Sequence, residues 1–355
     1  MDKTNLFYHS PKELSTDGFL TWLFYLLDSD DSTYGEAKQK FFDSLILKET
    51  DLHKAVKGVA VDRQASAGKE KMDILLSFEF AADSPSKRHY VLFEDKLSST
   101  TNDRQLSDYK AFCERHYNMY DYIYLKLDYI NMKERDIAVR NGYRVVSNKD
   151  LAAALAPIEG CHIIIEHYLQ FLKGAFLVDG DSIQERIDGC ADGMVFANAN
   201  VQNYYIEQVL AALNNDGLNV PTSQINPGTS FGRPWVELWL PDGVQSVAEY
   251  GGEKEALFWR IDQRSDLWHI RLCQYCWKVD AHRRERAARL NALRSAVKNV
   301  LNRNHPDLRL SQLSNKGEKN SDVIVLSFVD NAPQAILDSI SDLTKSVLEI
   351  FKQLG

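Results

Sequence analysis

The sequence predicts an α/β protein in which a mixed β-sheet domain flanked by helices, over residues 1–178, precedes a smaller α+β domain over residues 179–355. Length favours two domains, because 355 residues exceed the ~100–200 residues of one ordinary domain. Helix-like and strand-like segments alternate in the first half, which favours a sheet with helices packed on it. A segment rich in Asn, Gly, Pro and Ser at 215–234 then leads into a strand-rich second half.

The first domain begins with a strongly apolar helix. Residues 13–27, ELSTDGFLTWLFYLL, carry a wide apolar stripe, and Ser10-Pro11 before them suits a helix entry. The polar stretch 81–88 contains Pro85 and predicts a hairpin loop between two strands. Periodicity predicts further helices over 35–47, 102–117, 148–156 and 162–175, and strands over 56–62, 72–80, 89–95, 120–127 and 143–146.

The second domain is expected to combine antiparallel strands with long helices. Residues 215–234 are predicted to form a loop. The predicted elements are helices over 195–214, 280–303 and 333–353, and strands over 234–240, 256–262, 267–275 and 322–329. Five tryptophans are interpreted as part of its core, and the alternative is a stacking platform for unpaired bases; they are Trp235, Trp239, Trp259, Trp268 and Trp277.

Composition excludes several classes of protein. The chain is 44% hydrophobic and 26% charged, which is typical of a globular protein and excludes disorder of the whole chain. No apolar run approaches the ~18 residues of a membrane span, so no membrane association is expected. Five cysteines, an odd number without a visible leader, predict a cytoplasmic protein. The net charge of −8 argues against a purely electrostatic hold on nucleic acid.

Charged residues interrupt two apolar strands at matching positions. Asp73 lies near the start of strand 72–80, and Glu94 and Lys96 lie at the end of the next strand. Side chains two residues apart in a strand point to one face, so a hairpin would place Asp73 beside Glu94 and Lys96. Burying such charges is unfavourable unless they pair with one another or bind a ligand. Two carboxylates suit a hard cation such as Mg²⁺, and an ammonium group suits a negatively charged transition state.

These residues and their surroundings resemble the PD-(D/E)XK nuclease superfamily. The match includes the Asp and E-x-K strands, a Q-x-x-x-Y helix similar to that of the RecB-like branch, and a first helix similar to that of one bacterial group. The matching segments are MDILL at 72–76, LFEDK at 92–96, QLSDY at 105–109, ELSTDGFLTWLF at 13–24, YIYLKLDY at 122–129 and GYRVVS at 142–147. The resemblance covers residues 5–175 and implies a restriction-endonuclease-like sheet core.

The resemblance implies a metal site for Mg²⁺ or Mn²⁺. Asp73 and Glu94 would be metal ligands, and the backbone carbonyl of Asp95 would be a further ligand. Lys96 would assist the attacking water. Met72 stands where the superfamily often has proline, a departure that the superfamily tolerates.

The resemblance also implies three supporting residues. Gln105 and Tyr109, one helical turn apart, would line the site or touch substrate phosphate, although Tyr109 also suits a core position. Glu13 would be the acid of the first helix, unless it only interacts with the helix dipole. Asp17 shares the face of Glu13 and is the rival for that role.

A basic helix lies inside the acidic second half. Residues 271–320 contain twelve basic and four acidic residues. One interpretation is a helix that contacts nucleic acid through Arg283, Arg284, Arg286 and Arg289. The alternative is an ordinary solvated face.

The Cys273-x-x-Cys276 pair raises the question of a zinc site. Two more ligands would be required, and a strand would place the two cysteines on opposite faces. We therefore interpret both as buried free thiols.

The function predicted for the chain is hydrolysis of phosphodiester bonds, with DNA as the expected substrate by resemblance. Roles in phage defence, restriction or repair remain open. The alternative is a catalytically inactive module of the same fold that binds nucleic acid or a protein. The second domain is expected to bind substrate, a protein partner or another copy of the chain.

Overall fold

The computed structural model describes two compact units, residues 1–179 and 180–355. Within them it describes residues 5–9, 12–29, 34–67, 70–83, 87–97, 103–176, 179–264, 266–277, 282–313 and 320–355. Ser10, Pro11 and Pro85, which the sequence assigns to a helix entry and a hairpin loop, lie outside the described residues.

The first unit contains a five-stranded mixed sheet in the order β1-β2-β3-β4-β5. Strand β2 pairs antiparallel with both β1 and β3, and β4 and β5 continue the sheet in parallel from β3. The strands are β1 (Val56–Ala67), β2 (Glu70–Phe80), β3 (His89–Lys96), β4 (Met119–Lys126) and β5 (Arg144–Ser147). The predicted α/β class is thereby confirmed, and the predicted hairpin joins β2 to β3.

Helices cover both faces of this sheet. One face packs an apolar core of α1, α5, α6 and the sheet, and the other packs α3 against β3 and β4. The helices are α1 (Lys12–Leu27), α2 (Gly35–Phe41), α3 (Asp103–His116), α4 (Met132–Arg140), α5 (Asn148–Leu155) and α6 (Ile163–Ala175). A π-helical turn, Phe42–Ile46, continues α2. The helix predicted over 35–47 therefore changes its hydrogen-bonding pattern at its end.

Helix α4 is a feature that the sequence analysis missed. Its residues are mostly polar, so apolar periodicity gives little signal. Its start is nevertheless marked by Asn131, whose side chain accepts a hydrogen bond from the backbone N–H of Glu134. Asn followed three residues later by Glu is an ordinary helix-start pattern.

The second unit contains a five-stranded antiparallel sheet in the order β10-β9-β8-β7-β6. Its strands are β6 (Ile225–Ser230), β7 (Arg233–Ser246), β8 (Lys254–Arg264), β9 (Leu267–Cys276) and β10 (Asn320–Ser327). Its helices are α7 (Gly180–Asp188), α8 (Ala199–Asn215), α9 (Arg283–Asn304) and α10 (Pro333–Gln353). Strand β6 corrects the prediction that 215–234 is entirely loop.

The tryptophans of the second unit divide into buried and accessible residues. Trp259 and Trp268 are buried, as predicted. Trp235 and Trp239 are only half-buried, and Trp277 is exposed, so the prediction that all five form the core is wrong. Neighbouring strands place charged groups beside them, including an Arg260 guanidinium 4.6 Å from the Trp235 ring centroid.

Cys273 and Cys276 are both buried with free thiols, as interpreted from the sequence.

Among the described residues, no helix combines the length and apolar character that crossing a membrane would need.

Candidate active site

The β2–β3 hairpin brings Asp73 and Glu94 to the same edge of the first sheet. Ile74 pairs with Phe93, and extending this antiparallel register by one residue sets Asp73 opposite Glu94. The backbone N–H of Asp95 donates a 2.9 Å hydrogen bond to Asp73 Oδ2. The aspartate is therefore held by the strand that carries the second acid.

Lys96 joins the two carboxylates. Its Nζ lies 2.5 Å from Glu94 Oε1 and 3.6 Å from Asp73 Oδ2. It also donates to the backbone carbonyl of Asp95 at 3.2 Å. Strand alternation puts Lys96 on the face of Glu94, as the sequence predicts, so the three charged groups form one cluster.

Helix α3 adds Gln105 to this cluster. Gln105 Nε2 donates to Glu94 Oε1 at 2.8 Å and lies 3.3 Å from the hydroxyl oxygen of Tyr109. Tyr109 is buried, and its hydroxyl donates to the carbonyl of Lys71 at 2.7 Å. Gln105 therefore touches the acid directly, whereas Tyr109 orients Gln105 from within the core.

Glu94 is the most deeply buried member of the cluster, with 0% of its surface exposed. Burial is the largest cause that raises the pKa of Glu94 to about 7, and the nearby charge of Asp73 raises it further. Lys96 opposes both effects. Glu94 Oε2 is buried without a hydrogen-bond partner among the described residues, which is unfavourable unless another group satisfies it.

Helix α1 contributes a third acid near the cluster. Asp17 is buried, and its charge is among those that raise the pKa of Glu94. Glu13 lies in the first turn of the same helix, and its side chain lies outside the described residues. Of the two rival acids, Asp17 is the one whose position near Glu94 is described.

The side chain of Asp95 does not join Glu94 and Lys96. It lies on the opposite face of β3, because successive side chains in a strand alternate. It is buried there, and its charge contributes to raising the pKa of Tyr168 of α6. Only the backbone of Asp95 lies in the cluster. This placement matches a role for its carbonyl rather than for its carboxylate.

The donor set can be compared with the needs of a divalent cation. Within the described ranges, no group of three or more His, Cys, Asp or Glu side chains is arranged to hold a metal ion. Mg²⁺, however, is commonly held by one or two carboxylates while waters and substrate phosphate complete its shell. Asp73, the orphaned Glu94 Oε2 and the Asp95 carbonyl are hard oxygen donors, so the residues fit such a cation.

A second charged group lies beside the cluster and was missed by the sequence analysis. Lys126 of β4 pairs in parallel register with Lys96, and Tyr124 pairs with Glu94. Lys126 Nζ lies 3.0 Å from Glu134 Oε1, and the Tyr124 hydroxyl donates to the same oxygen at 2.5 Å. All three side chains are buried. The available signal was the alternation of Tyr124 and Lys126 in YIYLKL, which puts a lysine on the core face of an apolar strand.

The proposed nucleic-acid contacts of α9 are only partly accessible. Arg286 and Arg289 are 4% and 5% exposed, so they cannot reach a phosphate as predicted. Arg289 pairs with buried Glu255 at 2.7 Å, and Arg286 donates to the carbonyl of Gln274. Arg283 and Arg284 are exposed at the start of the helix. Part of the basic run is therefore engaged inside the fold, through one ion pair and one hydrogen bond to a backbone carbonyl.

Comparisons with known proteins do not assign the chain to a family. A search of protein-family models finds no match, and a search of curated proteins finds no relative. A solved structure described as MspJI restriction endonuclease in complex with a 27-mer oligonucleotide is similar over 49% of this chain, with 13% identity and a TM-score of 0.24. The match spans 40% of that endonuclease chain. Membership of the PD-(D/E)XK superfamily therefore stays a prediction.

Proposed function

We propose that the chain is a metal-dependent nuclease that hydrolyses phosphodiester bonds, with DNA as its substrate. The observation that carries this proposal is the meeting of Asp73, Glu94 and Lys96 at one sheet edge, within 3.6 Å of the lysine nitrogen. Gln105 extends the cluster from a different element. Four polar groups from two strands and a helix are thus concentrated where the core could have held apolar residues.

Each residue has a distinct role in the proposed reaction. Asp73, Glu94 and the Asp95 carbonyl would hold Mg²⁺ or Mn²⁺, which would polarise the phosphodiester and make a bound water more acidic. Lys96 places its ammonium group where negative charge develops on the phosphorus oxygens or on the attacking water. Gln105 fixes the orientation of the Glu94 carboxylate through its 2.8 Å hydrogen bond.

The acid of the first helix is assigned to Asp17. It is buried and close enough to act on Glu94, whereas the side chain of Glu13 is not described. We propose that Asp17 adds negative charge that strengthens cation binding. Tyr109 has a positioning role, because its hydroxyl lies between Gln105 and a backbone carbonyl.

Cleavage assays test the proposal. The purified chain is incubated with linear, circular and single-stranded DNA and with RNA, in Mg²⁺, Mn²⁺ or EDTA. We expect metal-dependent products that disappear with Lys96→Ala and persist with Lys87→Ala, an exposed lysine near the β2–β3 loop. DNA binding without cleavage in any metal would favour the inactive module instead.

A further inference from the structure

The second unit contains a pocket that the nuclease site does not explain. Its volume is about 410 Å³, within the ~300–1,000 Å³ range of small-ligand sites. It lies where the β6–β7 hairpin meets β8. We call it the tryptophan pocket and define it by Phe231, Arg233, Trp235, Arg260, Asp262 and Gln263.

The hairpin presents an aromatic ring at its tip. Phe231 and Gly232 form a two-residue turn between Ser230 and Arg233, and both have positive φ, 51° and 75°. Asparagine, aspartate or glycine is preferred at the first of these positions, because a bulky residue is strained there. The phenyl ring is nevertheless fully exposed. An exposed ring in a strained turn is more readily explained by a ligand than by folding.

The indole of Trp235 packs against the same hairpin. It lies against Gly228, its cross-strand partner, where an added Cβ would come within 2.3 Å of the ring. Its Nε1 donates to Ser230 Oγ at 3.0 Å. Only glycine at position 228 leaves space for the ring, so the hairpin is built around the tryptophan.

Charged groups complete the pocket. Arg260 lies 4.6 Å from the Trp235 ring centroid and is fixed by Glu237 at 2.5 Å and Asp262 at 2.8 Å. Arg233 is exposed and lies 3.9 Å from Asp266, a distance at which solvent weakens the pairing. Asp262 is itself held by Arg260 and Arg271. The pocket therefore offers flat apolar and guanidinium surfaces, the Gln263 amide and a cation at its rim.

We propose that the tryptophan pocket receives one unpaired nucleobase of a nucleic-acid strand. The base stacks against the Phe231 ring and the Arg260 guanidinium plane, while the Gln263 amide hydrogen-bonds to its edge. Arg233 at the rim contacts the adjoining phosphate. The choice of ligand class rests on the proposed nuclease function. Stacking also suits a chain of net charge −8, since charge attraction alone would bind nucleic acid weakly.

Anisotropy measurements with fluorescein-labelled oligo(dT) test this proposal in EDTA, where metal-dependent cleavage is blocked. Phe231→Asn removes the ring and installs a residue that suits the turn, so folding is preserved. We expect it to weaken binding about tenfold, and Trp235→Ala to weaken it at least as much. Trp277→Ala removes an exposed tryptophan outside the pocket and should leave affinity unchanged.

The outcomes separate this proposal from the nuclease proposal. The proposal that the tryptophan pocket binds a base would be contradicted if Phe231→Asn bound oligo(dT) with wild-type affinity. It would also be contradicted if Trp277→Ala lost as much affinity as Phe231→Asn. Absence of oligo(dT) binding by the wild type would also contradict the proposal. So would a Phe231→Asn protein that loses as much affinity for a blunt duplex as for oligo(dT). Pocket-dependent binding without cleavage in any metal would instead support the pocket and contradict the nuclease.

Discussion

At the scale of single residues, Glu94 is the side chain whose placement is hardest to explain by folding. It is completely buried, and one of its oxygens has no hydrogen-bond partner among the described residues. Burial and neighbouring acids outweigh the stabilising effect of Lys96, so the pKa rises to about 7. A site prepared to bind a cation has this character, because the cation supplies the missing positive charge.

This residue predicts a stability effect that depends on pH. The pKa of Glu94 rises from 4.5 to about 7 on folding, so the folded state favours the protonated acid and loses stability as pH rises through that window. Glu94→Gln lacks this titration. In EDTA at pH 8 we expect it to be more stable than wild type, by up to about 3 kcal/mol, with the gain shrinking towards pH 5.

Thermal unfolding at the two pH values measures this effect. Glu114→Gln, a change at an exposed acid of α3, serves as the control and should shift the midpoint little at either pH. A Glu94→Gln protein less stable than wild type at pH 8 would contradict the assigned electrostatics.

At the scale of secondary-structure elements, the buried Lys126–Glu134 pair connects β4 to α4 beside the candidate site. Removing one member leaves the other charge buried. We expect Glu134→Ala to destabilise the protein by about 3–5 kcal/mol in denaturant unfolding. Glu36→Ala, which removes the exposed pair with Lys40, should change the stability much less. Similar losses for the two variants would show that the buried pair contributes no more than a surface pair.

Elements with strong local periodicity could be predicted from the sequence, whereas an element defined by its pairing partner could not. The apolar helix α1 and the hairpin strands β2 and β3 were predicted closely, because their periodicity is local and strong. Strand β6 was missed, since Pro227 and Gly228 are typical of loops and the strand is defined by its pairing with β7.

Some residues of the candidate sites could be predicted from local sequence patterns, and others could not. Asp73, Glu94 and Lys96 could be grouped from strand alternation and one hairpin. The burial of Arg286 and Arg289 could not, because Glu255 lies far away in sequence and a charge run gives no sign of a distant partner. Lys126 was overlooked for a similar reason, as its partner Glu134 lies on the helix that the sequence analysis missed.

At the scale of the whole molecule, the chain divides into two units that each have their own sheet. The whole Asp73–Glu94–Lys96 cluster lies in the first unit. We therefore predict that residues 1–179 expressed alone unfold cooperatively and retain metal-dependent cleavage, while losing the contribution of the tryptophan pocket to oligo(dT) binding. Calorimetry and the cleavage gel measure these properties. A fragment without a cooperative transition would contradict the independence of the units.

The proposed nuclease depends on a divalent cation that Asp73 and Glu94 hold together. Calorimetric titration of Mn²⁺ into the metal-free protein measures this binding directly. We expect saturable binding that is lost in Asp73→Asn and in Glu94→Gln. Binding should be kept or tightened in Lys96→Ala, because that ammonium group pairs with both carboxylates. Absence of binding by the wild type, or undiminished binding by either acid variant, would show that Asp73 and Glu94 do not hold a cation together.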